Sequence, residues 1–271
     1  MTVQILTAQR LVQLATFHPK LQNTWYLLAA ATFSACNEPQ EIPRLYHFAM
    51  INELWAGQGL KAANKAIEIT QETENPQSQL SEAYQDPTPF QKLTTEKFRE
   101  VLLKSSALTG LPKAINSLRA LKTATPEGLE PAAEKVDTGG DMAWTDTKRP
   151  AQQDGQQTVR NGIEHWNKIY NKVSGKVANN LNSSYPDLWQ FTLCHIYGPL
   201  LSYDEVLNAQ ETSLTIIASL VPQDVNPQLW GHLKGAVNVG CDPETIDAAR
   251  NLSILVATWC DVRWRAEVVK L

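Results

Sequence analysis

The chain has only four cysteines in 271 residues, Cys36, Cys194, Cys241 and Cys260, and no C-x-x-C among them. Thiols scattered in this way indicate neither a zinc site nor a disulfide framework, and they fit a reducing, intracellular location. No apolar run approaches the ~20 residues that span a bilayer, so no membrane-crossing segment is expected. The opening residues MTVQILTAQRLVQLATFHPK lack a basic leader followed by an apolar core and do not read as a signal peptide. A net charge of -4 gives no electrostatic case for nucleic acid or for an anionic membrane. Period-two alternation is missing throughout, which excludes a sheet protein and leaves an all-α fold.

What is present is an ordinary soluble composition, 43% hydrophobic and 19% charged, on a chain long enough to bury a full core. Helical periodicity predicts a short helix over 7–17 with Thr7 as cap. An Ala-rich apolar helix, TWYLLAAATFSAC, opens at Asn23 or Thr24, and others run over 42–55 and 60–73. Residues 74–90 read as loop, 95–108 as helix. Pro112 opens the next helix, with Ile115, Leu118 and Leu121 as its buried face. The Pro/Gly-rich stretch 124–158 carries no regular element and reads as a linker or lid, with Trp144 as an anchor onto the body or another subunit. It separates an N-terminal half, 1–123, from a C-terminal half, 159–271. In the latter, 159–181 and 186–198 are helical, and a last helix runs from Asp242 as cap and Pro243 to the end.

The two halves echo each other. Pro39-Gln-Glu-Ile-Pro-Arg-Leu-Tyr-His47 parallels Pro222-Gln-Asp-Val-Asn-Pro-Gln-Leu-Trp-Gly-His232 with one-residue gaps, which suggests duplication. The first copy has no acid where the second has Glu211, so it reads as a degenerate, structural repeat with His47 in the core or at an interface.

Glu211 to Gly240 is the stretch that carries chemistry. Ser202-Tyr203-Asp204-Glu205 reads as a capping box for a helix on which Leu207, Glu211, Leu214, Ala218 and Val221 share one stripe. The next helix starts near Pro227, places Gln228 and His232 four apart on one face, and ends at Gly240. Small residues Gly231, Gly235 and Ala236 admit a close neighbour. An acid and an imidazole in one pocket can act as a proton relay, with the carboxyl tuning or orienting the histidine.

This pattern resembles the carboxymuconolactone decarboxylase family, which also holds the alkylhydroperoxidase D-like proteins. The match lies in Glu211, in His232-Leu-Lys-Gly-Ala236-Val-Asn-Val-Gly240 and in Asp242-Pro-Glu244-Thr-Ile246. It extends, toward fungal members, to TWYLLAAATFSACNEP, FREVLLKSSALTGLPKAINSLRALK, YPDLWQFTLCHIYGPLLS and QDVNPQLWGHLKGAVN. The resemblance implies a duplicated helical bundle that assembles as a homo-oligomer, and a cofactor-independent lyase or isomerase acting on a small carboxylated or lactone-like metabolite. His232 and Glu211 would be catalytic. Gln228, His195, Tyr197, Asn238 and Trp230 are the candidate substrate contacts. No metal ligand set and no cofactor are expected. Departures from the family are Gln228, where decarboxylase-type members carry an acid, and the lack of any cysteine between Val221 and Gly231. The latter disfavours the alternative of a redox protein of the alkylhydroperoxidase D-like kind. A non-catalytic interaction protein of the same fold is the other alternative. His165, Cys194 and Cys260 read as core or interface. Val269-Lys270-Leu271 is a variant of the S-K-L peroxisomal address, so an import receptor is a candidate partner and the location expected is the peroxisomal matrix or the cytoplasm.

Overall fold

The computed structural model describes residues 4–53, 55, 57–71, 84–133, 147–149 and 155–271, and among them every regular element is helical. In chain order these are α1 (Ala8–Ala15), α2 (Trp25–Cys36), α3 (Ile42–Asn52), α4 (Gly59–Gln71), α5 (Pro89–Thr109), α6 (Leu111–Ala124), α7 (Gly155–Tyr170), α8 (Ser174–Ser184) and α9 (Pro186–Phe191). A π-helical segment over Thr192–Leu201, then α10 (Ala209–Leu220), α11 (Asn226–Asn238) and α12 (Pro243–Trp259) complete the chain. No described helix is long and apolar enough to cross a membrane.

The centre of the molecule is α2. Every residue from Trp25 to Ala35 is buried, as an all-round apolar helix must be in water. Each large side chain so buried contributes about 1.5–3 kcal/mol of transfer free energy. Around α2 pack α3, α5, α10 and α12, so one hydrophobic cluster draws on residues from both 1–123 and 159–271. The chain start is pinned to this body by Glu41, whose carboxylate accepts the N–H groups of Ile5 and Leu6 at 2.9 Å each. His47 is 2% exposed and its Nδ1 is 2.8 Å from the Tyr84 hydroxyl, a core histidine.

Several boundaries differ from the sequence expectation for identifiable reasons. Thr88 and Gln91 form a reciprocal capping box with Pro89 at the first turn, so α5 starts six residues before Thr95. On α6 the buried positions are Ala114, Ser117, Leu121 and Ala124, while Ile115 is 59% exposed. Small residues rather than large ones face the neighbour there. The expected helix 159–181 begins at Gly155 and breaks at Asn171, whose φ of 46° separates α7 from α8. The final helix stops at Trp259. Asp261 then turns left-handed, and the remaining residues run as a tail held by Arg250 and Asn226. Trp144 lies outside the described residues.

Backbone contact sets the geometry of the C-terminal half. A Cβ on Gly162 would stand 2.9 Å from Gly198 Cα and N, so α7 and the π-helical segment touch main chain to main chain. A Cβ on Gly235 would instead meet a side chain, at 2.6 Å from Ile169 Cγ2, whereas Gly231 has nothing within 4 Å.

Candidate functional site

The residue at the third position of α10 decides the geometry. Asn208, not Ser202, caps this helix: its Oδ1 accepts the N–H of Glu211 at 2.9 Å, and the Glu211 carboxylate accepts the N–H of Asn208 at 3.1 Å. The expected capping box at Ser202-Tyr203-Asp204-Glu205 is thus corrected to Asn208-x-x-Glu211. The earlier residues instead close the π-helical segment, with Ser202 Oγ donating to Gly198 O. Glu211 is therefore a first-turn residue, and it lies on the expected stripe with Leu207, Leu214, Ala218 and Val221, all four of them buried. Its other carboxylate oxygen is ion-paired with Lys97 of α5. The pair is mostly out of water, with 17% of the Lys97 side chain and 11% of the Glu211 side chain exposed.

Lys97 lines the wall of a cavity of about 950 Å3 between α1, α2, α3, α4 and α5. Trp25, Tyr26, Phe48 and Phe90 give it an aromatic floor, and Asn23, Asn52 and Thr94 add polar groups. Burial pushes the Tyr26 hydroxyl up to about 12, with the Glu211 charge adding to the effect and a hydrogen bond with Thr94 opposing it. Tyr26 is accordingly a neutral donor at any physiological pH.

His232 does not join this group. Helices α10 and α11 are antiparallel, and their register is fixed where Gln210 Nε2 donates to Gly240 O at 2.9 Å. Glu211 is therefore level with the end of α11, while His232 lies eight residues earlier, about 12 Å back along the axis. Its half-buried ring stands edge-on to Tyr170 at 6.1 Å between centroids and makes no hydrogen bond among the described residues. Burial, and secondarily His165, pushes it down to about 4, so the neutral imidazole prevails.

The remaining predicted site residues divide. Tyr197 is buried, its hydroxyl 3.0 Å from that of Tyr170, and burial drives it well above the ordinary tyrosine value. It shares an aromatic box with Trp166, Trp189 and His165. His165, 7% exposed, is also pushed down to about 4 by burial, and its Nε2 has no hydrogen-bond partner among the described residues. Asn238 Nδ2 donates to Ile169 O at 2.7 Å and ties α11 to α7. Gln228 is exposed, Trp230 is 49% exposed under Lys234, and His195 is exposed and rests on Phe191. The structure thus brings Tyr197 and His232 to one aromatic box and leaves Gln228, Trp230 and His195 at the surface.

Two lysines were missed by sequence reasoning. Lys97 carries no local signature, although Asn208-x-x-Glu211 could have been read as a capping box. Lys104 is 1% exposed and pushed down to about 8 by burial, yet its Nζ is committed to Tyr203 O at 2.6 Å and Thr212 Oγ1 at 2.7 Å. It anchors the loop before α10. Among the described residues no cluster of three or more His, Cys, Asp or Glu could hold a metal ion.

Across 281 aligned positions the chain is 55% identical to Peroxisomal protein 2 of Saccharomyces cerevisiae, covering 99% of both chains. The chain belongs to the Peroxisomal protein 2 family. A Schizosaccharomyces pombe member of the same name is 33% identical over 251 residues, 91% of each chain. No protein-family model matches the chain, and no solved structure does. The family makes this a peroxisomal protein, the first of the two locations expected from the sequence.

Proposed function

We propose that this peroxisomal protein is a cofactor-independent lyase or isomerase, of the carboxymuconolactone decarboxylase-like kind, that takes a small carboxylated or lactone-like metabolite into the Tyr26–Lys97 cavity. One observation carries the reading: the acid singled out in the sequence, Glu211, holds a lysine on the wall of a concave, aromatic-floored cavity. Sites of this size and lining are where small molecules bind. A lysine ammonium has three donors. One meets Glu211, and the others can take a substrate carboxylate or carbonyl, with Tyr26 and Thr94 as neutral partners. A proton passes from the Lys97 ammonium to the substrate carbon and is replaced from solvent, with Glu211 holding the lysine in place, which needs no metal or organic cofactor. His232 acts in packing.

The test is a thermal-shift screen of small mono- and dicarboxylates and lactones against the wild type and Lys97→Met, followed by product analysis of any hit. A ligand at 100 times its Kd stabilises by about 2.7 kcal/mol. Stabilisation of the wild type that is lost in Lys97→Met supports the site, and stabilisation kept in the variant refutes it. A second reading, binding without turnover, is favoured by the mutual satisfaction of Lys97 and Glu211, which leaves no unpaired charge facing the ligand. Product formation separates the two. The redox alternative gains nothing from Cys241, which burial pushes up to about 11 and so keeps as a neutral thiol.

Two partners belong to the same proposal. Helices α8 and α9 have no buried residue, and Tyr185, Leu188 and Phe191 are 60%, 42% and 54% exposed, a face suited to a second copy of the chain. Leu271, 41% exposed beyond the Arg250 clamp, is available to an import receptor.

A further inference from the structure

We propose that Arg250 and Asn226 clamp the final residues of the chain, so that an import receptor reads Val269-Lys270-Leu271 only after the clamp opens. This regulation rests on the receptor partner already proposed for Leu271. Arg250 stands on α12, is 6% exposed, and grips two successive carbonyls of the tail: its Nε donates to Val269 O at 2.7 Å and its Nη2 to Val268 O. The remaining nitrogen is fixed on the same helix, where Nη1 donates to Asn251 Oδ1 at 2.8 Å. Asn226, the first residue of α11, takes the other main-chain group of Val269. Its Oδ1 accepts the Val269 N–H at 3.0 Å, and its Nδ2 donates to Glu267 O at 3.0 Å.

Both polar main-chain groups of Val269 are thus committed to the body, and Val268 beside it is buried. Lys270 and Leu271 follow, exposed, beside a cleft of about 270 Å3 walled by Leu233, Pro243 and Ile246. Further back, Trp264 Nε1 donates to Val221 O at 2.7 Å and Arg265 pairs with Asp224 at 3.3 Å. Residues 264–269 are therefore a strap, tied at the turn between α10 and α11, at the start of α11 and on α12.

A receptor that reads a C-terminal tripeptide has little but main chain and short side chains to hold, so it must bond the Val269 N–H and carbonyl as well as the chain end. Those two groups cannot serve the clamp and the receptor at once. Bonds from a guanidinium are of the stronger, charge-assisted kind, and its planar fork suits two adjacent acceptors. Receptor affinity for the folded chain is then the intrinsic affinity scaled by the open fraction. Arg250 and Asn226 lie 19 and 43 positions before Val269, so the clamp assembles only when α11 and α12 are in place. The incompletely folded chain displays the address, and the finished fold withholds it.

The experiment measures displacement of a labelled peptide ending in Ser-Lys-Leu from the cargo-binding domain of a peroxisomal import receptor. The competitors are the full chain and a free peptide of residues 262–271. The free peptide should compete, and the full chain should need a concentration at least about tenfold higher. Arg250→Met and Asn226→Ala, each with the helical spectrum of the wild type, should close most of that gap. Removing Leu271 should abolish competition by peptide and variants alike. In the wild type the Val269 N–H should exchange with deuterium far more slowly than in the free peptide, a readout that stands even if Arg250→Met folds poorly. Equal competition by full chain and peptide overturns the proposal, as does a gap that both variants leave unchanged, or Val269 exchange at the peptide rate. Those three outcomes leave the receptor partner standing. A free peptide that fails to compete removes the partner and the clamp together.

Discussion

Replacing Glu211 tests the link between the two sequence halves. Its carboxylate does two things: it satisfies the Asn208 N–H at the start of α10, and it pairs with a Lys97 side chain that is only 17% exposed. Loss of a helix cap costs about 1 kcal/mol. Leaving a largely buried cation without its partner costs about 3 kcal/mol. Glu211→Ala should therefore lose roughly 4 kcal/mol in urea unfolding, the sum of those two contributions. Glu211→Gln keeps an oxygen for Asn208 and should lose about 3 kcal/mol, on the second contribution alone. Pairing Glu211→Gln with Lys97→Met removes both charges, so the double variant should be more stable than the summed single losses predict, by at least about 1.5 kcal/mol. Additive losses, or a Glu211→Ala variant within about 0.5 kcal/mol of wild type, would show that the pair is solvated and that the cavity wall is not built on it.

Three further outcomes are expected. His47 and His165 are pushed by burial down to about 3 and about 4, below the ordinary 6.5. The unfolded chain therefore binds more protons between those values, so stability is full above about pH 6.5 and declines as pH falls toward 4. Urea midpoints measured from pH 7 to 4 check this, and His47→Gln should flatten the slope; a midpoint independent of pH refutes it. Gly162→Ala should destabilise by at least about 2 kcal/mol because its Cβ would meet Gly198 backbone at 2.9 Å, while Gly231→Ala on open α11 should gain up to about 1 kcal/mol. Thermal melts that rank the two the other way refute the close-packing argument. Sedimentation should show the wild type self-associating and Leu188→Ser/Phe191→Ser as a 30.2 kDa monomer with an unchanged helical spectrum; equal masses refute the α9 interface.

Much of the fold was legible because it depends on local chemistry. Thr7 and Asp242 cap α1 and α12 as read, their side chains accepting the N–H groups of Arg10 and Thr245. The apolar run of α2 could only be a buried helix. Boundaries were missed where a cap competed with an apolar pattern, as at Thr88, or where a single left-handed residue such as Asn171 broke a helix whose periodicity continued. The candidate site was half legible. Glu211 stood out as an acid near the start of an apolar helix, but its partner was assigned along the chain, to His232.

The sequence alone determined the helical class, most helix positions, and Glu211 as an acid at the start of an apolar helix, since propensity, capping and periodicity act within a few turns. Only the tertiary structure decided which of those residues meet. The antiparallel register of α10 and α11 carries His232 about two turns away from Glu211. Packing of α10 beside α2 and α5 brings Lys97 to it across 114 positions of sequence. Contacts at such separations are fixed by how whole helices stack to bury their apolar faces, and no window of neighbouring residues records that.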